Sequence, residues 1–389
     1  MTDLLPPPGR TRTWQEHADV LRRRGGEKWA AATPDQLAAW VAEMDFGAAP
    51  AVTDALHDLV ARAELGYVAP ARRQTYREAV ARWYADEHGY VVDPARVHVV
   101  ADVIEAYRQA LAHLFPEGDV VLPVPAYPPF TIAARTLGRR VRTVLLRERA
   151  GRWELDLDAL DAALRGGPHV LVLCNPQNPT GRVHTRTELL AVADLAERHG
   201  ARVFADEIHA PLVHAGHVHV PYASVSPGAA AHSVTAFSPS KAFNLASLKS
   251  AALLLTRDED VRALADVGHL ASHGASIAGL VAGTAALDAA RPWLADVRAT
   301  LQHNRDRVLA TLSGAPGLRL AAPEGTYLAW VDATATGVTT PAAHLADRGV
   351  LVNDGAGFGD AYGSWFRLNF ATPAPVLEEI VRRVVAAFT

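Results

Sequence analysis

The chain is poor in lysine. It has three, Lys28, Lys241 and Lys249, against 35 arginines in 389 residues. Arginine serves wherever positive charge alone is wanted, so each surviving lysine is a candidate for amine chemistry that a guanidinium cannot perform. Mutational bias with chance survivors gives the same count, so scarcity directs attention without assigning a role. Cysteine is nearly absent. The single Cys174 excludes an intramolecular disulfide and suits a reducing compartment, and a cytoplasmic location is expected. There is no apolar run of about 18 residues, so no transmembrane helix is expected. The proline-rich start, Met1 to Arg10, has no apolar signal core. Net charge is −4 and the arginines are dispersed, so no nucleic-acid or membrane partner is expected.

What is present is an ordinary globular balance with ample core. An irregular arm is expected over the first 25 or so residues. Helices are expected at Pro50–Ala63 and Gln74–His88. Strand-like apolar runs follow at Val97–Ala101, Asp119–Leu122, Val141–Leu146, Val170–Cys174, Arg202–Ala205, Ser233–Phe237 and Ala251–Leu255. Helical stretches at Thr131–Thr136, Leu157–Leu164 and Arg186–His199 lie between them. This alternation predicts an α/β fold, a large domain with a mostly parallel seven-stranded sheet flanked by helices. The end of the chain differs. A long helix over Leu294–Leu312, short strands at Leu318–Leu320, Tyr327–Val331, Val350–Val352 and Trp365–Phe370, and a closing helix Pro375–Phe388 predict a smaller α+β domain. The expected division is 1–48 for the arm and part of the small domain, 49–290 for the large domain and 291–389 for the small C-terminal domain.

Four segments follow predicted strands and so fall at one sheet edge, where such folds bind ligands. They are Pro125-Ala126-Tyr127-Pro128, Asn175-Pro176-Gln177-Asn178-Pro179-Thr180-Gly181, Asp206-Glu207-Ile208-His209 and Ser238-Pro239-Ser240-Lys241. Each alone reads equally well as a turn or a strand-end cap. Together they offer an aromatic face, an amide, a carboxylate, hydroxyls and an amine, the set a flat, anionic, aldehyde-bearing aromatic cofactor requires. In order and spacing, with 28 positions from Asn178 to Asp206 and 35 from Asp206 to Lys241, the chain resembles the fold-type-I pyridoxal-phosphate enzymes of the aspartate-aminotransferase superfamily.

The resemblance implies pyridoxal 5'-phosphate as cofactor, joined to Lys241 as a Schiff base. Asp206 would pair with the ring nitrogen, Asn178 with the phenolate oxygen, and Tyr127 would stack on the ring. Ser238, Ser240, Lys249 and the backbone N–H groups of Val103 and Ile104 would hold the phosphate. His209 would line the cofactor pocket, and Arg367 would clamp the substrate α-carboxylate. Tyr67 resembles the tyrosine that reaches the neighbouring subunit's cofactor, which implies a homodimer with shared active sites. Ser276 is a weaker candidate for the partner's phosphate.

Lys28-Trp29, Trp40-Val41-Ala42-Glu43-Met44-Asp45-Phe46, Ser240 to Ala246, Gly325 to Trp330 and Arg367-Leu368-Asn369 narrow the resemblance to the PatB/MalY cystathionine-β-lyase subgroup. This implies a C–S β-lyase that cleaves a cysteine S-conjugate through a quinonoid to a thiol, pyruvate and ammonia. An aminotransferase, or a decarboxylation-coupled deaminase of an S-linked cysteine, would use the same residues. A non-catalytic regulatory protein on the same fold is a further alternative. The chain departs from the subgroup at Asp102, where a carboxylate beside a phosphate is awkward unless it caps the helix. It also departs at Ser247 and Asp354. The cluster His209, His214, His217 and His219 fits no common closed metal site, and no metal is expected. The glycine-rich Gly355–Gly359 lacks the context of a dinucleotide fingerprint and reads as a loop.

Overall fold

A computed structural model describes residues 14–389. The expected irregular arm lies partly outside the described residues. Within them it forms a short helix, Ala18–Arg23, and a second, Glu27–Ala30, follows just beyond it.

Seven strands form the main sheet: β1 Val97–Val100, β2 Val120–Val124, β3 Val141–Leu145, β4 Val170–Cys174, β5 Arg202–Asp206, β6 Ser233–Phe237 and β7 Ala251–Leu255. Their order is β1-β7-β6-β5-β4-β2-β3. β3, β2, β4, β5 and β6 run parallel. β7 is antiparallel to both of its neighbours. Every residue of β2, β4, β5, β6 and β7 is buried, as in a largely parallel sheet covered on both faces. The reversal of β7 has a consequence for the site. Its start lies at the same edge as the ends of β1, β2, β4, β5 and β6, so Lys249 arrives at the same sheet edge as Lys241.

A second, antiparallel sheet holds β8 Arg319–Leu320, β9 Leu328–Asp332, β10 Asn353–Asp354 and β11 Trp365–Asn369, in the order β8-β9-β11-β10. Helices Arg291–Leu312 and Ala374–Phe388 pack on this smaller domain. Leu37–Ala38 pairs in parallel with Val350–Leu351 and ties the N-terminal segment to it. The division at residues 48 and 290 remains our proposal. One apolar cluster, through Trp83, Phe243, Trp293, Leu301 and Leu377, runs across it. Among the described residues no helix is long and apolar enough to cross a membrane.

Candidate active site

The carboxyl edge of the main sheet opens into a cavity of about 460 Å³ between the two domains. It is lined by Tyr127, Asn178, Asp206, His209, Ser240, Lys241, Lys249, Val103, Ile104 and Arg367, together with Val41 and Ala42. Ten of the positions expected from sequence thus meet in one place.

Each is held by local structure. Tyr127 is the N-cap of helix Pro128–Thr136, whose proline start suits the first turn. Its ring stands edge-on to Phe130, with centroids 6.0 Å apart. Asp206 ends β5 and is 4% exposed. One of its oxygens accepts from the Ile208 N–H at 3.0 Å, and the Cys174 thiol donates to the other at 3.5 Å. Burial pushes the Asp206 pKa up to about 6. Lys241 lies in a tight turn closed by Phe243 N–H to Pro239 O and Leu245 N–H to Ser240 O, both 2.9 Å. Asn244 takes a left-handed φ of +60° there. Its side chain accepts from Met44 N–H at 3.0 Å and donates to Met44 O at 2.9 Å, fastening the lysine turn to the N-terminal segment. Lys241 Nζ donates to Ala42 O at 2.7 Å. Burial, helped by the Arg367 charge, lowers its pKa to about 8. A buried ammonium near a fixed cation gives up its proton readily.

Arg367 is carried by β11 and is buried. Its Nη1 donates to Asn178 Oδ1 at 2.9 Å, which leaves the Asn178 Nδ2 hydrogens for another acceptor. Burial lowers the Arg367 pKa to about 10, still well above neutrality. His209 is buried with its ring 6.0 Å from Tyr327, and burial pushes its pKa down to about 3, so it is neutral.

At the other end of the cavity, Asp102 resolves the departure noted in the sequence. Its Oδ1 caps helix Val103–Gln109 through the Glu105 N–H at 2.8 Å. Its Oδ2 accepts from Lys249 Nζ at 2.9 Å. Burial would raise the Asp102 pKa, but these partners outweigh it and the net shift is downward.

Three expected residues stand elsewhere. The Ser238 hydroxyl is directed into its own turn, donating to Ser250 O at 2.7 Å and accepting from Ser240 N–H at 3.1 Å. It is buried and is not among the cavity-lining residues, and its hydroxyl ties the end of β6 to the start of β7. Tyr67 lies between helices Pro50–Ala61 and Pro70–His88, is 97% exposed, and does not approach this chain's own cavity. Ser276 caps helix Ile277–Ala289 through the Gly279 N–H and donates to Leu248 O. Sequence reasoning missed Asn353, which accepts from Arg367 Nη2, and the carbonyls of Trp40 and Ala42. Of the histidine cluster, His219 pairs with the buried Glu207 at 3.2 Å.

The donor set fits pyridoxal phosphate. Among the described residues His209 Nδ1 and Arg367 Nε are buried without a partner in or beside the cavity, as expected of groups awaiting a polar ligand. Lys241 supplies an amine, Asp206 a carboxylate, Asn178 a free amide donor, Tyr127 an aromatic face, and Ser240 with Lys249 a phosphate end.

Comparison with known proteins agrees. Residues 41–384 match the family Aminotransferase class I and II. A cystathionine beta-lyase of Corynebacterium glutamicum is 34% identical over 95% of this chain and 98% of its own. Cystathionine beta-lyase PatB of Bacillus subtilis is 32% identical over 91% of this chain and 93% of its own. A crystal structure of a candidate PLP-dependent beta-cystathionase from Corynebacterium diphtheriae superposes with a TM-score of 0.90 at 34% identity, covering 97% of this chain and 99% of the other. The chain belongs to the class I and II aminotransferase family of fold-type-I pyridoxal-phosphate enzymes, alongside the cystathionine beta-lyases.

Proposed function

We propose that the protein is a C–S β-lyase acting on cysteine S-conjugates, cystathionine-like compounds among them. The net reaction takes one conjugate and one water to one thiol, one pyruvate and one ammonia. The observation that carries the amino-acid part of the reading is the pairing of Lys241 and Arg367 in one cavity. An amine with a pKa of about 8 stands beside a buried guanidinium that can hold an α-carboxylate. Kinship with cystathionine beta-lyases along nearly the whole chain supports elimination as the outcome.

Pyridoxal phosphate, when bound, supplies an aldehyde for the substrate amine and a ring that accepts the electrons released at Cα. The chain's own residues do the rest. Arg367 and Asn178 orient the carboxylate so that the Cα–H points to Lys241. Lys241 Nζ removes that proton and can return it. Asp206, an anion above about pH 6, would hold the ring nitrogen and favour its protonated form. Tyr127, in the cavity lining, would cover one ring face. Neutral His209 contributes hydrogen bonding without adding a competing charge. We also propose a two-fold dimer in which Tyr67 enters the partner's site.

Holoenzyme mixed with L-cystathionine or another S-conjugate tests the assignment. Pyruvate, read through lactate dehydrogenase, and thiol, read with a disulfide dye, should appear in equal amounts without an added keto acid. Lys241→Ala should release neither. Amino transfer to an added keto acid, with no pyruvate and no thiol, would overturn the lyase reading in favour of transamination.

A further inference from the structure

The hydrogens of the Arg367 guanidinium can be counted. Nη1 donates to Asn178 Oδ1 at 2.9 Å. Nη2 donates twice, to Trp40 O at 3.1 Å and to Asn353 Oδ1. Nε has no partner among the described residues, although the residue is 3% exposed. A guanidinium grips a carboxylate bidentately along one of two edges, Nε–Nη2 or Nη1–Nη2. Both edges need a hydrogen of Nη2, and both of those hydrogens are taken. A carboxylate can gain the full fork only if one acceptor withdraws.

The two acceptors differ in how freely they can leave. The Trp40 carbonyl belongs to a fastened backbone. Asn369 Nδ2 donates to Val41 O at 2.6 Å and to Glu43 O at 2.7 Å, and the Trp40 indole donates to Lys28 O at 2.9 Å. Asn353 is a half-buried side chain on a two-residue strand, directly opposite Arg367 across the β10–β11 pair. A rotamer change withdraws its oxygen with no backbone movement.

We propose that Asn353 is a placeholder that determines specificity for the substrate carboxylate. Its amide oxygen occupies the Arg367 fork while no amino acid is bound, and yields that donor to the α-carboxylate. The proposal rests on the reading of Arg367 as the carboxylate group's partner. A neutral acceptor suits this task. It satisfies a buried donor that would otherwise be unpaired, yet it loses to an anion, whose hydrogen bonds to guanidinium are stronger. An anionic side chain at the same place would form the charged pair itself and refuse to leave.

The test titrates holoenzyme with L-methionine and with 3-(methylthio)propylamine, the same compound without the carboxylate, following the cofactor's visible band. Asn353→Asp should raise the L-methionine Kd about tenfold or more and leave the amine's Kd nearly unchanged. Asn353→Leu, which removes the acceptor, should leave the L-methionine Kd unchanged or lower. If Asn353→Leu weakens L-methionine as much as Asn353→Asp does, Asn353 merely props Arg367 and the placeholder role is wrong. It is equally wrong if Asn353→Asp has no effect on L-methionine. Arg367→Leu examines the reading beneath. It should abolish the preference for amino acid over amine, and a preference that survives would remove Arg367 as carboxylate partner whatever the Asn353 variants do.

Discussion

Lys241 shows how environment gives one residue its chemistry. Burial and the Arg367 charge lower its pKa to about 8, so the reactive neutral amine grows as pH rises through that value and disappears below it. Apoprotein should therefore take up pyridoxal phosphate covalently at a rate that climbs with pH, is half-maximal near 8 and levels about a unit above it, followed by stopped-flow absorbance. Arg367→Leu removes a charge that opposes the ammonium, so the midpoint should move to higher pH. A midpoint that stays put would mean burial acts alone. The other two lysines also have defined places. Lys28 is 1% exposed, and its ammonium meets Asp45 at 2.7 Å while the Trp29 indole holds the same carboxylate at 2.8 Å. This buried pair fixes the N-terminal segment that carries Trp40 and Ala42, and nothing in the sequence alone indicated it. Lys249 pairs with Asp102 from a left-handed backbone at φ +57°. Lys241, Asp206 and Arg367, which meet in one cavity, were legible because the order and spacing of their segments carry the family resemblance. The carbonyls of Trp40 and Ala42 were not, because every residue has a carbonyl. Asn353 was hidden because its contact depends on strand register in three dimensions.

The loop after β4 brings Asn178 to the cavity, and its far end is locked to the small domain. Gly181, at φ +71°, accepts from the N–H groups of Glu324 at 2.9 Å and Gly325 at 2.8 Å. A Cβ on Gly181 would lie 2.3 Å from Pro323 Cβ and 2.9 Å from Gly325 O. The neighbouring Arg182 guanidinium is buried between Glu324 and Glu188. Gly181→Ala should destabilise the protein by about 2–4 kcal/mol in thermal or denaturant unfolding, and weaken cofactor binding by displacing Asn178. Gly216 has a comparable φ of +89° but open space around it, so Gly216→Ala should cost only about 1–2 kcal/mol. Equal losses would show that backbone strain, rather than the wedge against Pro323, fixes this loop. Element legibility follows the same physics. β4, β6 and β7 match the sequence reading end to end, because β4 and β7 are uninterrupted apolar runs bounded by turns and β6 is broken only by the small Ser233 and Thr235. Helix Ile277–Ala289 escaped, since its Ala- and Gly-rich surface is apolar all round and carries no helical periodicity. Its small residues serve close packing. A Cβ on Gly279 would lie 2.1 Å from Leu248 O, and one on Gly283 would lie 2.7 Å from the Tyr76 ring. The hairpin Arg147–Arg149 with Arg152–Glu154 escaped for the opposite reason, being charged and exposed along most of its length.

At the scale of the molecule, one chain exposes apolar side chains that the proposed dimer would cover. Val60 is 63% exposed, Leu65 64% and Tyr67 97%, all near the junction of helices Pro50–Ala61 and Pro70–His88. A tyrosine this exposed contributes nothing to its own fold, yet its hydroxyl and ring suit a cofactor site. The proposed dimer gives it one. In a two-fold arrangement each site draws Lys241 from one chain and Tyr67 from the other. Sedimentation should then give twice the mass of a single chain. A mixing experiment is more exacting. Lys241→Ala and Tyr67→Ala homodimers should each be close to inactive, because each carries one lesion in both sites. In a mixed dimer the lesions sort differently. One site receives both altered residues, and the other receives neither. Random reassociation of equal amounts makes about half of the dimers mixed, and each of those has one intact site of two. Activity should recover to about one quarter of the unaltered enzyme after unfolding and refolding the mixture together. Sites complete within a single chain would leave the mixture as inactive as its parts, because no pairing could then unite an intact Lys241 with an intact Tyr67.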